Sequence, residues 1–267
     1  MSFVAKLRAA SQANNSLVCV GLDPSPTRTP LERIAAFNRA IIEATHDLVC
    51  AYKPNIAFYE AWGAPGLEAL RETLAAIPSH IPVICDAKRN DIGNTAEAYA
   101  QALFETFGFD AATVNPYLGQ DSLEPFLSYA DKGVIVLCRT SNPGAADIQD
   151  LAVATESGLR PLFEVVAEKA KAWNSRGDVG LVVGATYPEE LRRIRQLCPE
   201  MPILIPGVGA QGGDLELAVR YGVDATGGGA IINSARGIIY ASTGADFAIA
   251  ARAAAEEMRD AINRCRA

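Results

Sequence analysis

Short apolar segments alternate with helix-like segments along the whole chain. Each apolar segment is hydrophobic at successive positions, which is typical of parallel strands that are covered on both faces. Eight strands are predicted, at 17–22, 48–53, 81–86, 111–115, 133–138, 179–184, 202–206 and 223–227. Eight strands separated by helices predict an α/β fold, a single (β/α)8 TIM-barrel domain over residues 1–267, with an open doubly wound sheet as the alternative.

The segments between the predicted strands carry helical signals of their own. In 94–97, Asn94 is a typical capping residue and an acidic residue follows three positions later. Residues 246–263 place apolar side chains on one stripe, which predicts a closing helix. The segment 141–158 shows neither period, so it is predicted to be an irregular loop after the fifth strand, where it would border a ligand site.

Composition narrows the class of protein. The 267 residues carry a net charge of −7 and no basic block, which disfavours binding to nucleic acid. No apolar run approaches the ~20 residues of a membrane span, and the first residues lack the apolar core of a signal peptide. The six cysteines form no CxxC pair, and most lie in apolar runs, as reduced core thiols do. We therefore expect a cytoplasmic protein that does not bind membranes.

Charged residues follow three consecutive predicted strands. Asp23 ends the first and Lys53 the second, Asp86 and Lys88 end the third, and Asp91 comes just beyond. Ligands of such folds bind where the carboxyl ends of the strands meet, so these side chains are expected to lie together. Because an extended chain points every second side chain to one face, Asp86 and Lys88 should share a face. A structural ion-pair cluster or a solvated rim is the simpler interpretation, but four charges from three strands favour a functional site.

Glycine-rich segments follow the last two predicted strands, at 206–214 (PGVGAQGGD) and 227–237 (GGGAIINSARG). Glycine allows backbone N–H groups to approach a ligand closely, and barrels often bind phosphate in these two loops. Arg236 could hold a phosphate with two parallel hydrogen bonds. We predict a phosphate site here, with tight turns as the alternative. The full dinucleotide fingerprint is absent, which disfavours a nicotinamide cofactor.

These motifs resemble a known family. The stretch 86–95 (DAKRNDIGNT) is similar to the DxKxxDIxxT signature of the orotidine 5'-phosphate decarboxylases. Further similar stretches are VGLDPS (20–25), YKPN (52–55), VNPYLG (114–119), TSNPGA (140–145), PGVGAQGGD (206–214) and NSARGIIYA (233–241). Together they resemble the longer bacterial branch of that family.

The resemblance implies decarboxylation of orotidine 5'-monophosphate (OMP) to UMP in de novo pyrimidine biosynthesis, with no cofactor and no metal. It implies a catalytic array of Lys53, Asp86, Lys88 and Asp91. Within this array Lys88 would protonate the C6 carbanion that remains when CO2 leaves. It also implies a homodimer with shared active sites, in which Asp91, Ile92 and Thr95 serve the neighbouring subunit.

The same resemblance implies the contacts to the substrate. Asp23 and Lys53 would bind the ribose hydroxyls, and Ser141 the pyrimidine. Gln211 would bridge base and phosphate, and Arg236 would bind the phosphate. The further substrate-binding residues that it implies are Pro206, Gly212 and Ala235. The chain differs from the shorter archaeal members in two regions, Leu151–Trp173 and Gly227–Arg236.

Two other functions remain as alternatives. The first is a sugar-phosphate decarboxylase or aldolase of the wider barrel superfamily, which usually needs Mg²⁺. Lys53 stands where such a site would need an acidic ligand, and the two histidines, His46 and His80, lie outside the motifs. The second is a barrel that binds a phosphorylated ligand without catalysis. It would not require the costly burial of alternating charges.

Overall fold

The computed structural model describes residues 1–156, 158–208 and 212–266. The strands in these residues are β1 (Val18–Gly21), β2 (Ala51–Lys53), β3 (Ile84–Arg89), β4 (Ala111–Val114), β5 (Gly133–Arg139), β6 (Ala152–Thr155), β7 (Gly158–Pro161), β8 (Val179–Val183), β9 (Ile203–Pro206) and β10 (Ala230–Ser234). The α-helices are α1 (Phe3–Ala13), α2 (Ile34–Thr45), α3 (Ala57–Glu60), α4 (Ala64–Ala75), α5 (Gly93–Gln101), α6 (Glu124–Leu127), α7 (Ala146–Gln149), α8 (Leu162–Trp173), α9 (Pro188–Leu197), α10 (Leu215–Gly222), α11 (Arg236–Ile239) and α12 (Phe247–Arg266).

Eight parallel strands form the predicted barrel. Their order around the sheet is β2-β1-β10-β9-β8-β5-β4-β3. The two outer strands, β2 and β3, are joined by parallel bridges between Tyr52 and Val83 and between Asn55 and Asp86. These bridges close the sheet on itself, so the TIM-barrel fold is confirmed and the open doubly wound sheet is excluded.

A small apolar core fills the inside of the barrel, and α1 closes its amino-terminal end. Phe3 and Leu7 of α1 belong to the same buried cluster as Ile135, Leu204 and Ile231 of the strands. A Cβ atom at position 133 would lie 2.3 Å from the ring of Phe3. The start of β5 must therefore be glycine, because the helix packs directly onto it.

A larger core lies between the strands and the surrounding helices. The closing helix is present as predicted, and α12 buries Ala251, Ala255 and Ile262. Among the helices of the described residues, none is long and apolar enough to cross a membrane.

The eighth strand of the barrel was predicted wrongly. Residues 223–227 form a turn, and the strand is β10, which begins after the glycine triplet. Asp224 Oδ1 accepts hydrogen bonds from the N–H groups of Thr226 and Gly228, at 2.8 and 3.0 Å, and Gly229 has a φ of +70°. The turn therefore precedes the strand, and the triplet lies at the amino-terminal end of the barrel.

Two further boundaries differ from the prediction. The segment 141–158 is not irregular, because it contains α7 and the first part of the antiparallel β6–β7 hairpin. Thr155 Oγ1 donates to the carbonyl of Gly158 at the turn, at 2.7 Å. Helix α5 begins at Gly93 with Ile92 as its N-cap, so Asn94 lies inside the first turn and is not the cap.

Candidate active site

The carboxyl ends of the barrel strands surround an open cavity of about 700 Å³. Eight of the predicted site residues line it, namely Asp23, Lys53, Asp86, Lys88, Ser141, Pro206, Ala235 and Arg236. Since these residues come from β1, β2, β3, β5, β9 and β10 or the segments that follow them, the barrel brings together what is distant in sequence.

One carboxylate lies between two ammonium groups at the base of this cavity. Lys53 Nζ is 3.2 Å from Asp86 Oδ2, and Lys88 Nζ is 2.5 Å from Asp86 Oδ1. The side chains of Lys53 and Asp86 are 3% and 13% exposed, whereas that of Lys88 is 48% exposed. All three side chains line the cavity, and of these three Lys88 is the one that is also open to solvent.

The opposite charges around Lys53 and Asp86 keep both of these buried side chains ionised. Burial alone would raise the pKa of Asp86, but the ammonium groups of Lys53 and Lys88 outweigh it and lower that pKa to about 2. Burial alone would lower the pKa of Lys53, but the carboxylates of Asp23 and Asp86 raise it above its ordinary value. An isolated charge at this depth would be too costly, so each group depends on the others.

Strand β3 bulges where it carries these residues. Cys85 pairs with Ala112 and Arg89 with Val114, so three residues of β3 lie opposite the single residue Thr113 of β4. Lys88, the last of these three residues, lies in the left-handed region, with a φ of +49°. That conformation costs roughly 1–2 kcal/mol in a residue other than glycine. The prediction that Asp86 and Lys88 face the same way is confirmed, since both line the cavity. Its reason, an extended chain, is wrong, because the bulge brings Lys88 there.

Asp23 lies beside Lys53 at the wall of the cavity. Its Oδ1 accepts a hydrogen bond from the N–H group of Asn55, at 3.0 Å. Asn55 Nδ2 in turn donates to Asp86 Oδ2, at 3.4 Å. The carboxyl ends of β1, β2 and β3 are thereby tied together by side chains as well as by the barrel.

Asp91, Ile92 and Thr95 do not join this cavity. They lie beyond β3 at the start of α5, outside the described residues that line the cavity, and Ile92 is 60% exposed. Asp91 Oδ1 accepts a hydrogen bond from the N–H group of Ile92, at 2.8 Å. Within one chain the structure therefore brings together three members of the predicted array and leaves the fourth at the rim.

Helix α7 holds the segment that carries Ser141. Gln149 Oε1 accepts from the N–H group of Thr140 at 2.9 Å, and Gln149 Nε2 donates to Thr140 Oγ1 at 2.8 Å. Thr140 Oγ1 donates to Asn142 Oδ1 at 2.7 Å. Gln149 and all three residues of 140–142 line the cavity. A single glutamine side chain thus fixes the strand end from which Ser141 faces the cavity.

Arg139 also holds the segment that carries Ser141. Its side chain is 2% exposed, and Nη2 is 3.2 Å from Asp150 Oδ2. The guanidinium lies 3.9 Å from the centre of the Tyr187 ring. The inserted segment after β5 is therefore packed onto the barrel beside the predicted base-binding residue.

Only some of the residues predicted to bind the phosphate line the cavity within the described parts of the chain. Pro206, Ala235 and Arg236 line the cavity, whereas Gly212 is exposed and lies outside the described lining. Gln211 lies outside the described residues. A Cβ atom at position 21 would lie 2.6 Å from the Cβ of Ala235, so the end of β1 must be glycine for the loop after β10 to approach it.

The glycine triplet does not belong to this site. It lines a second cavity, of about 560 Å³, at the amino-terminal end of the barrel, with residues of α1 and α12. The prediction of two glycine-rich loops around the phosphate is therefore wrong for the triplet. The misplaced eighth strand is the cause, since it put the triplet after the strand and not before it.

Sequence reasoning missed several polar residues of the cavity. The missed residues that line it include Asn55, Thr113, Thr140, Asn142, Gln149 and Asn233. Asn233 is 8% exposed, and its Oδ1 has no hydrogen-bond partner within the described parts of the chain. Asn55, Thr140 and Asn233 stood in the quoted YKPN, TSNPGA and NSARGIIYA stretches, but Thr113 lies in an apolar run where no local signal marks it.

Within residues 1–156, 158–208 and 212–266, no group of three or more histidine, cysteine or acidic residues is arranged to hold a metal ion. Of the described acidic residues that line the cavity, Asp86 is paired with Lys53 and Lys88, and Asp23 accepts from the N–H group of Asn55. Both carboxylates are thus already bound by protein donors, whereas Mg²⁺ prefers free carboxylate oxygens as ligands.

Comparison with known proteins gives one consistent result. The sequence profile of the "Orotidine 5'-phosphate decarboxylase / HUMPS family" matches residues 16–252. The chain is 57% identical to an orotidine 5'-phosphate decarboxylase of Thermomicrobium roseum, over 100% of this chain and 96% of that one. It is 54% identical to a protein of the same name from Azoarcus sp., over 98% and 99% of the two chains.

The fold agrees with the sequence comparison. The solved structure of Leishmania donovani OMP decarboxylase superposes with a TM-score of 0.89 at 44% identity. The match covers 100% of this chain and 99% of that chain. The similarity therefore extends over the barrel and the segments inserted in it.

Proposed function

This chain belongs to the orotidine 5'-phosphate decarboxylase / HUMPS family, and from that premise we propose how its cavity converts OMP to UMP. The reaction is the decarboxylation step of de novo pyrimidine biosynthesis, as the names of the relatives indicate. The observation that carries the proposed mechanism is the Asp86 carboxylate held between Lys53 and the half-exposed Lys88.

The difficulty of the reaction determines what the site must supply. When CO2 leaves C6 of OMP, the electron pair stays in the plane of the ring and cannot delocalise into its π-system. The barrier must fall by roughly 20 kcal/mol, near the upper end of what enzymes achieve. Fixed charges that meet the developing anion are the largest source of such stabilisation.

Lys88 is the proposed proton donor. Its ammonium group would stabilise the electron pair at C6 as the C–C bond breaks, and then transfer a proton to C6 to give UMP. The resulting amine would regain a proton from solvent, for which the 48% exposure of the side chain provides access. No step in this sequence requires an electron sink outside the protein.

Asp86 would lie next to the departing carboxylate. Two unit negative charges ~4 Å apart repel each other by about 4 kcal/mol at an effective dielectric of ~20. This repulsion disappears as neutral CO2 forms, so it would supply a minor part of the total. Leu137, Val182 and Leu204 also line the cavity, and an apolar floor favours neutral CO2 over a carboxylate.

The remaining predicted residues would bind the substrate. Asp23 and Lys53 would contact the ribose hydroxyls and Ser141 the pyrimidine. The residues proposed for the phosphate side are Pro206, Gln211, Gly212, Ala235 and Arg236. Binding energy from the phosphate would then help to hold the base in the strained arrangement at C6.

We further propose a homodimer with shared active sites. Asp91, Ile92 and Thr95 would complete the site of the neighbouring subunit, with Asp91 as the fourth member of its array. The exposed apolar side chains Ile92, Tyr117 and Leu118 support an interface here, being 60%, 81% and 47% exposed at the same end of the barrel. Contiguous exposed apolar side chains are typical of surfaces that bind a protein partner.

Membership of this family also suggests a domain organisation and a cellular compartment. We propose that residues 1–267 act as one catalytic domain in the cytoplasm. All six cysteines are free thiols, and five are buried, which suits a reducing compartment. The net charge of −7 supports a small-molecule substrate and not nucleic acid.

One spectrophotometric assay tests the proposed function. Purified protein should convert OMP to UMP at the same rate with and without EDTA, because no cofactor or metal takes part in the proposed steps. A protein that leaves OMP unchanged would contradict the function. Loss of activity in EDTA, restored by Mg²⁺, would instead favour the metal-dependent sugar-phosphate enzymes of the wider superfamily.

A further inference from the structure

The hydroxyl of Thr113 lies at the centre of the β3 bulge. Its Oγ1 accepts hydrogen bonds from the backbone N–H groups of Ala87 and Lys88, both at 3.0 Å. The same hydroxyl donates to Asp86 Oδ1, also at 3.0 Å. Thr113 is 1% exposed, so water does not substitute for any of these contacts.

These three bonds use the whole hydrogen-bonding capacity of a hydroxyl. It has one hydrogen to donate and two lone pairs that accept. The bulge gives the N–H groups of Ala87 and Lys88 no regular ladder position opposite β4, and the Thr113 side chain takes up both of them. A methyl group in this place would remove the partner that these two partly buried N–H groups share.

The three contacts act on the residues that matter for the proposed chemistry. One N–H group belongs to Lys88, whose left-handed backbone, with a φ of +49°, is unusual for a lysine. Such a conformation persists only where its surroundings hold it in place. The third contact turns the carboxylate of Asp86, so that the oxygen that binds Thr113 also binds Lys88 Nζ, at 2.5 Å.

We propose that Thr113 is a positioning residue, whose hydroxyl fixes the backbone of Lys88 and the carboxylate of Asp86 so that the Lys88 ammonium meets C6 of the substrate. This inference rests on the proposed function of the site. Thr113 touches no reacting atom in it. It acts by joining the backbone of the proton donor to the side chain of the neighbouring acid.

Three variants test the inference. Thr113→Val keeps the shape of the side chain and removes the hydroxyl, whereas Thr113→Ser keeps the hydroxyl. Thr73→Val is the matched control, because Thr73 is also fully buried and its hydroxyl donates to the carbonyl of Ala69, at 2.8 Å, and accepts from Asn38 Nδ2, at 3.0 Å, and neither partner belongs to the array. The measurements are kcat and KM for OMP, the Kd for UMP, and the rate at which the C6 hydrogen of UMP exchanges with D2O.

The expected result separates chemistry from binding. Thr113→Val should lose about 100-fold in kcat, since a catalytic group displaced by ~1 Å can lose this much. Its Kd for UMP should stay within about threefold, because the contacts to base, ribose and phosphate remain. The C6 exchange should slow in parallel with kcat. Thr113→Ser should recover most of the rate, and Thr73→Val should lose stability but not kcat.

Other outcomes would overturn the inference. A folded Thr113→Val with wild-type kcat would show that the hydroxyl is not needed, as would Thr113→Ser that is as slow as Thr113→Val. If Thr113→Val does not fold, Thr113→Ala and Thr113→Ser are compared, and equal rates would count against the proposal. Wild-type protein that leaves OMP unchanged would overturn the proposed function itself, whereas an active wild type isolates the role of Thr113.

Discussion

The carboxylate of Asp86 is the best-satisfied group of the cavity. Lys53 Nζ and Asn55 Nδ2 bind its Oδ2, at 3.2 and 3.4 Å. Lys88 Nζ and Thr113 Oγ1 bind its Oδ1, at 2.5 and 3.0 Å. Each oxygen therefore has two donors, which offsets the cost of burying the charge and fixes the plane of the group.

Lys88→Ala should abolish turnover and still bind UMP. The variant loses the proposed proton donor, and a general acid contributes up to about 10⁴-fold to a rate. The product should still bind, since the contacts assigned to ribose and phosphate involve other side chains. Single-turnover consumption of OMP and titration with UMP measure the two effects. Turnover at the wild-type rate would refute the role of Lys88.

Lys53→Met should lower stability in a pH-dependent way. In the wild type the pKa of Asp86 is about 2 in the folded protein, below its ordinary value of 3.8. The ionised carboxylate therefore contributes about 2 kcal/mol that is fully present above pH 3.8 and is lost as the pH falls towards 2. Removing Lys53 raises this pKa, because burial then acts against one ammonium group fewer.

The stability deficit of Lys53→Met is thus expected to be constant near neutral pH and to narrow below about pH 4. Urea unfolding at pH 7 and pH 3 measures it. Lys169→Met, at an exposed position of α8, is the control and should show no such change. A deficit of the same size at both pH values would contradict the coupling of the two residues.

At the scale of single residues, much of the site could be predicted from the sequence. The carboxyl ends of parallel strands must meet, so Asp23, Lys53, Asp86 and Lys88 were expected together and lie together. Thr113 could not be predicted, since its role depends on the bulge of the neighbouring strand. A pattern of apolar and polar positions does not report such a register shift between two strands.

At the scale of helices and strands, the existence of a strand was easier to predict than the residues at which it begins and ends. Seven of the eight predicted segments overlap strands of the barrel, because the buried parallel strands are apolar throughout. The eighth failed, because a turn stabilised by Asp224 was taken for the strand that follows it. The inserted segment after β5 failed too, since its short hairpin is largely exposed and lacks the apolar run of a buried strand.

The inserted segment yields a prediction of its own. Gln149→Met should weaken the binding of UMP about 30-fold, because two hydrogen bonds to Thr140 are lost at about 1 kcal/mol each. The affinity for ribose 5-phosphate should not change, as that ligand has no base for Ser141 to contact. Competitive inhibition of OMP turnover by each ligand measures both values.

The control for this variant is Ile148→Ala, the preceding residue of α7, which is 51% exposed. It should leave both affinities at their wild-type values. If Gln149→Met weakened both ligands equally, the glutamine would support the cavity as a whole and not the base-binding segment.

At the scale of the whole molecule, a single barrel does not assemble all four members of the proposed array. Asp91 lies at the rim, outside the described lining of the cavity that holds Lys53, Asp86 and Lys88. Because a two-fold interface repeats the same contact in both directions, one symmetric pair would complete both sites at once. Dimerisation and activity should then be inseparable.

Mixed dimers test this arrangement. Lys88→Ala and Asp91→Ala homodimers should each be inactive, since every site in them lacks one member of the array. After subunits are exchanged in equal amounts, half of the dimers are mixed and one of their two sites is intact, so about a quarter of wild-type activity should return. Verified mixed dimers that stay inactive would contradict a site shared between subunits.

The carboxyl ends of α1 and α12 meet at the closed floor of the barrel. Asn15, just after α1, is hydrogen-bonded to Asn263 and Arg266 of α12, at 2.9 Å in each case. This floor lies opposite the mouth through which a nucleotide would come and go. A linker, a purification tag or a solid support attached there would hold the molecule by its base and leave the opening free to the surrounding solution.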